Sequence, residues 1–309
     1  MNASSITNTP FLSVLVPAYN YAEGVHRILT RLHPLPNCDC EIIIFDDSID
    51  NGVDEVVRNW CEATGSQVTY QHNHLPFGAA ANWNALLDAA QGEYCLLLHH
   101  DEFPLVDDFI SKVMEVLRHD RVIDVLILDC ILISPSNGCN RRHMPIWLRT
   151  LVVNRFPQYL FQRNVIGPTS TLVVRRTLFP RFDTRLKWFI DIDLYVRLFK
   201  VAKKIRLCPE IKIGSVLDRA ESITAGLQPS MPQIVREERA YLRDVHQTTS
   251  LWLEPLKCRL SFRSMILICE TVCWNSVRGI GRIKAAFCFG PVPRSIVQQA
   301  ITLPSSSER

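Results

Sequence analysis

The chain has 309 residues, is 47% hydrophobic and carries 34 basic against 31 acidic residues, a net charge of +3. That length suits one large domain plus an appendage, and so balanced a charge offers no compositional argument for nucleic acid, which is not expected as a partner. The 11 cysteines are odd in number and without repeating spacing, which argues against a disulfide framework and for a reducing, cytoplasmic setting.

Met1 to Pro10 is polar and lacks an apolar run, so residues 1–10 read as a disordered tail rather than a secretory signal. Leu12 to Ala18 is a short apolar run and reads as the first buried strand. Glu23 to Leu32 carries its apolar residues on one helical face and is stopped by Pro34 and Pro36. A second strand is expected over Glu41 to Phe45, then a helix over Val53 to Ala63 with Gly65 as its C-cap. Gln67 to Gln71 reads as a strand, Phe77 to Ala90 as a helix, and Tyr94 to Leu98 as a strand. A helix over Val106 to Arg118 and a strand over Val122 to Ile133 follow. This alternation argues for a parallel sheet with right-handed crossovers.

Further on, Pro135 to Gly138 reads as a turn, Thr169 to Val174 as a strand, Lys187 to Val201 as a helix, Ile205 to Val216 as a strand, and Met231 to His246 as a helix. From Trp252 the texture changes. Arg259, Arg263, Arg278, Arg282 and Lys284 mix with Trp252, Phe262, Trp274 and Phe287. Two readings stand for this tail: a surface helix on an anionic membrane, and a helical bundle capping the domain. No run of about 18 apolar residues exists, so no spanning helix is expected.

Chemistry concentrates at three places. Leu96-Leu97-Leu98-His99-His100-Asp101-Glu102 passes within one residue from a buried strand to two imidazoles and two carboxylates. Open α/β sheets place ligands at such a strand end, and a carboxylate there can grip a divalent cation. A solvated helix start is the competing reading. A zinc site from His72, His74, His99 and His100 is disfavoured, because adjacent residues on a strand point to opposite faces. Asp46-Asp47 ends the second strand, where it can meet a base or ribose, or form a turn on its own backbone. In Trp188 to Leu198, Asp193 and Arg197 have the spacing of a helical ion pair. That leaves Asp191 as the free carboxylate and a candidate general base, against the alternative of an ordinary amphipathic helix.

Taken in order, SVLVPAYN, EIIIFDDS, FGAAANWNALLDAAQGEYCLLLHHDEF, GPTSTLVVRR, WFIDIDLYVRL and RAESIT resemble the family 2 glycosyltransferases, over about Leu12 to Thr224. The resemblance implies an α/β fold of the GT-A type, Rossmann-like, with a mostly parallel mixed sheet flanked by helices. It implies a domain over 11–228 and says nothing of the residues after about 230, where the change of texture reads as a C-terminal helical appendage over 229–309. It also implies donor-binding roles for Pro17, Ala18 and Tyr19, for Asp47 and its neighbour Asp46, and for Asn84 on the donor-side helix, where Trp83 replaces a common arginine. Leu98-His99-His100-Asp101 matches the family's Asp-x-Asp-Asp segment, with Asp101 retained as the metal ligand and His100 in place of an acid. Asp191 matches the catalytic base, with Ile190 in place of the neighbouring glutamate. Arg219 stands where many relatives have a histidine, suited to the diphosphate.

The expected enzyme is therefore an inverting hexosyl-type transferase, dependent on manganese or magnesium. It moves a sugar from a nucleotide-diphospho-sugar to a saccharide or lipid-linked saccharide in surface polysaccharide or glycolipid assembly. Its expected location is the cytoplasm, at the inner face of the plasma membrane, with peripheral contact through 252–290. The alternatives are a non-catalytic nucleotide-sugar binder and, last, a sugar nucleotidyltransferase, which should carry a Gly-rich basic loop that VPAYNYAEG lacks.

Overall fold

The computed structural model describes residues 9–33, 39–134, 139–217, 227 and 230–247. The turn expected at Pro135 to Gly138, Arg219, and the tail from Trp252 lie outside the described residues.

The sheet is built from β1 (Leu12–Ala18), β2 (Cys40–Asp46), β3 (Thr69–His72), β4 (Tyr94–Leu97), β5 (Glu102–Pro104), β6 (Val125–Ser134), β7 (Cys139–Arg142), β8 (Leu172–Arg175) and β9 (Ile205–Val216). The helices are α1 (Ala22–Leu32), α2 (Gly52–Thr64), α3 (Ala79–Ala89), α4 (Phe109–His119), α5 (Ile146–Arg155), α6 (Ile190–Val201) and α7 (Met231–His246). Strand order is β3-β2-β1-β4-β8-β6-β9-β5, with β7 paired to β6.

The expected α/β arrangement, a mixed sheet flanked by helices, is the observed one. Pairing is parallel through β3, β2, β1 and β4 and again between β6 and β9. It turns antiparallel where β8 inserts between β4 and β6, and where β5 joins β9. The strand-helix alternation that argued for a parallel sheet stops after β6. Beyond it β7 returns directly beside β6, β8 follows α5 and two 3-10 turns, and β9 follows α6.

The central strands are buried on both faces, so their apolar runs are continuous. Alternate residues feed two cores. Val14, Ile44 and Leu96 pack with α1, α2 and α4 on one side. Leu15, Ile43 and Leu97 pack with α3, α5 and α6 on the other, where Leu242 of α7 joins them. Helix α7 is thus part of the second core rather than a free extension. No helix among the described residues is long and apolar enough to cross a membrane.

This topology positions the site. Strands β1, β2 and β4 run parallel, so Pro17 to Tyr19, Asp46-Asp47 and His99 to Glu102 all emerge at one sheet edge. Opposite them, two short pieces differ from sequence expectation. The run Thr169 to Val174 opens with a 3-10 turn over Thr169–Thr171 before β8 begins. Helix α6 begins at Ile190 rather than Lys187.

Candidate active site

A cavity of about 790 Å³ opens at this edge. Pro17, Ala18, Tyr19, Asp47, His100 and Asp101 line it from the sheet side, and Asp191 lines it from α6. Two other expected residues do not. Asp46 is fully buried and is spent on its surroundings, accepting hydrogen bonds from the Ser48 backbone N–H at 2.9 Å and the Tyr70 hydroxyl at 2.9 Å. It forms the local turn, while Asp47 faces the cavity. Asn84 is turned away from the cavity as well. Its amide donates to the Phe182 carbonyl at 2.9 Å and accepts from the Phe182 N–H at 2.8 Å, tying α3 to the chain before α6. Asn82 and Trp83 line the cavity in its place.

Asp47 is held by the Asn73 side chain at 2.8 Å and the Gly78 N–H at 3.0 Å. Gly78 needs its positive φ of 80° to present that N–H at the start of α3. The Asp47 carboxylate is therefore fixed in place at the cavity wall.

The segment after β4 is a tight turn. The Glu102 N–H bonds back to the His99 carbonyl at 2.9 Å, so His99 and Glu102 face each other at 3.1 Å, Nδ1 to Oε2. The His99 ring lies against Trp83 with centroids 4.7 Å apart, and the His100 ring meets Tyr21 edge-on at 5.7 Å. Burial works against a charged His99. The surrounding Glu102, Asp101 and Asp191 outweigh it and raise its pKa to about 9. Burial pushes the Glu102 carboxyl up, and the His99 ring draws it back.

His99, Asp101 and Glu102 each offer one ligand atom within 4.8 Å of the others. Among the described residues, this is the group whose ligand atoms could meet on one cation. The four histidines His72, His74, His99 and His100 form no such group among the described residues. His99 and Glu102 escaped sequence reasoning as partners, although His-x-x-Glu closing a turn was legible in the spacing.

Helix α1 crosses this turn closely. A Cβ on Gly24 would lie 2.1 Å from the His100 carbonyl oxygen, a backbone atom that cannot yield cheaply. Gly24→Ala is therefore expected to destabilise the fold by about 1–3 kcal/mol and to displace the turn that carries Asp101. The check is urea unfolding; an unchanged midpoint would contradict the packing.

On α6, Asp193 is fully engaged. Its Oδ2 accepts from Arg197 Nε at 2.9 Å and its Oδ1 meets His246 Nε2 at 2.7 Å. Burial opposes its ionisation, but the bonds from His246 and Arg197 win and hold its pKa below the usual carboxylate value. Asp191 accepts only from the Thr169 hydroxyl, at 3.1 Å, among the bonds described. Burial raises its pKa, with the His99 charge and Thr169 pulling the other way. A carboxylate raised in this way and facing a cavity can accept a proton.

Residues 13–182 match the sequence profile described as Glycosyl transferase family 2. The chain belongs to glycosyltransferase family 2. Among relatives of this family member, the abequosyltransferase RfbV of Salmonella typhimurium is 26% identical over 145 residues, covering 45% of this chain and 41% of that protein. The putative colanic acid biosynthesis glycosyl transferase WcaA of Escherichia coli is 26% identical over 196 residues, 62% of this chain and 67% of that one. The chain thus spans less than half the length of the first of these relatives and two thirds of the second. Among solved structures, S. aureus TarS 1-349 in complex with UDP-GlcNAc superposes with a TM-score of 0.55 at 17% identity, over 70% of this chain and 61% of that one, a likeness of fold alone. Asp191 and the whole of α6 lie beyond the residues matched to the family profile.

Proposed function

We propose that this family 2 member is an inverting glycosyltransferase, moving a sugar from a nucleotide-diphospho-sugar to an acceptor hydroxyl in surface polysaccharide or glycolipid assembly. One observation carries the proposal: Asp101 and Asp191 open onto the same cavity. The homologues named for polysaccharide biosynthesis and the TarS complex with UDP-GlcNAc support the substrate class.

In this reading Pro17, Ala18 and Tyr19 wall the nucleoside, and Asp47 accepts hydrogen bonds from its base. His99, Asp101 and Glu102 would hold a divalent cation, and their mixed nitrogen and oxygen donors suit manganese. A cation bound there supplies positive charge beside the leaving diphosphate. Arg219, outside the described residues, remains the expected second diphosphate contact. Asp191 takes the proton from the acceptor hydroxyl as its oxygen bonds to the anomeric carbon. The bond from that carbon to the diphosphate breaks on the opposite face. Lining the cavity beside Asp191, the 39%-exposed Trp188 offers a face for an acceptor ring. A cytoplasmic location and a membrane contact through 252–290 belong to the same proposal.

The test follows release of nucleoside diphosphate from a panel of nucleotide sugars with and without manganese. Slow manganese-dependent release from one donor, lost in Asp101→Ala, is the expected result. Donor binding by thermal shift with neither release nor transfer would instead leave a non-catalytic nucleotide-sugar binder, the reading favoured by the metal segment that retains only Asp101 and by Ile190 in place of the glutamate.

A further inference from the structure

The start of α6 lacks a cap of its own. Phe189 stands at the N-cap position and provides no side-chain hydrogen bond. The residues leading into it are held instead by a distant part of the chain. The Glu238 carboxylate, buried on α7, accepts from the backbone N–H of Lys187 at 2.5 Å, Trp188 at 3.0 Å and Phe189 at 2.9 Å. Of these three residues only Phe189, at the N-cap, belongs to the helix end, so the carboxylate fixes the approach to α6 and complements the positive end of its dipole. Asp191 is the second residue of that helix.

Three further contacts fix α7 to the same stretch. The Tyr241 hydroxyl donates to Asp183 at 2.5 Å, Arg239 lies over the Phe189 ring at 5.7 Å, and buried His246 holds Asp193. The engagement of Asp193 by His246 and Arg197 keeps the second carboxylate of the helix out of competition for the acceptor proton. None of this machinery lies within the residues matched to the family profile.

We infer that Glu238 is a positioning residue for Asp191, and that α7 through Glu238 and His246 sets the aim of the base. This rests on the proposed role of Asp191 as general base. Small misplacements of a base are costly, since the reacting oxygen must lie in hydrogen-bond reach.

The test is steady-state transfer by the full chain carrying Glu238→Gln, which keeps the shape but removes the charge and one acceptor oxygen. The expected result is a fall in kcat of roughly 10- to 100-fold, with donor KM within about twofold. In an Asp191→Asn background, Glu238→Gln should then lower the residual rate no further, because it acts through the group already removed. Wild-type kcat in Glu238→Gln, or a further loss in the double variant, overturns the inference. If Glu238→Gln melts below the assay temperature, His246→Gln is judged by the same criteria. Turnover that survives in Asp191→Asn alone refutes the base assignment. A dead Asp191→Asn beside a fully active Glu238→Gln refutes only the positioning role.

Discussion

Asp191→Asn is expected to lower turnover by ~100-fold or more while leaving donor affinity nearly unchanged. The substitution is close to isosteric, and the Thr169 hydroxyl at 3.1 Å can still be accepted by the amide oxygen. What is lost is a group that takes up a proton. The pH profile supplies a second signature. Burial raises the Asp191 pKa above its ordinary value, so kcat should fall as pH drops through that raised value and be flat above it. The same limb should vanish from whatever residual rate Asp191→Asn retains. Single-turnover rates across pH check both points, and normal turnover in the variant would refute the assignment. Asp193→Asn separates the two carboxylates of the helix: it breaks bonds to His246 and Arg197, so its first effect should be on stability.

The largest expected stability change lies away from the cavity. Arg149 is 2% exposed and meets the fully buried Asp129 at 3.2 Å, while its other nitrogen donates to the Leu128 carbonyl at 2.6 Å. These contacts sit where the register of β6 on β9 shifts, between Leu128 and Asp129. Burial pushes the Asp129 pKa up, and Arg142 and Arg149 pull against it. Arg149→Met removes one partner and leaves a buried carboxylate with the Cys130 N–H at 3.1 Å and, as charged partner, the half-exposed Arg142 at 2.8 Å. A loss of about 3–5 kcal/mol is expected. Asp129→Asn/Arg149→Met should recover most of it, because the amide no longer carries a charge to bury. Urea midpoints of the two variants make the comparison. Equal destabilisation by the single and double variants would show that the cost comes from lost packing instead.

Much of the framework was legible because its elements are governed by local pattern. The continuous apolar run of β1, the apolar residues at alternate positions of β9 and the helical period of α7 place their ends where the structure has them. Gly65 caps α2 with a φ of 68°, as its position after the last apolar turn suggested. The misplaced features share a cause, which is dependence on partners distant in sequence. Helix α6 starts three residues later than its pattern, and the N–H groups of Lys187 to Phe189 before it meet Glu238, some 50 positions on. Asp46 and Asp47 are equivalent in composition. The pleat sends neighbours to opposite sides but does not say which side holds the cavity. Asn84 looked like a donor contact until Phe182, 98 positions away, claimed both of its polar atoms. Within the segment after β4, Asp101 stood out as an acid at a strand end. The pairing of His99 with Glu102 needed the turn that brings them to 3.1 Å.

A crystal structure with an unreacted nucleotide-diphospho-sugar and manganese tests the central claim most directly. The account predicts the diphosphate beside Asp101, with the anomalous signal of manganese within about 2.2 Å of its carboxylate. It also predicts the anomeric carbon on the Asp191 side of the same cavity. A nucleotide bound elsewhere, or a sugar directed away from Asp191, would contradict it.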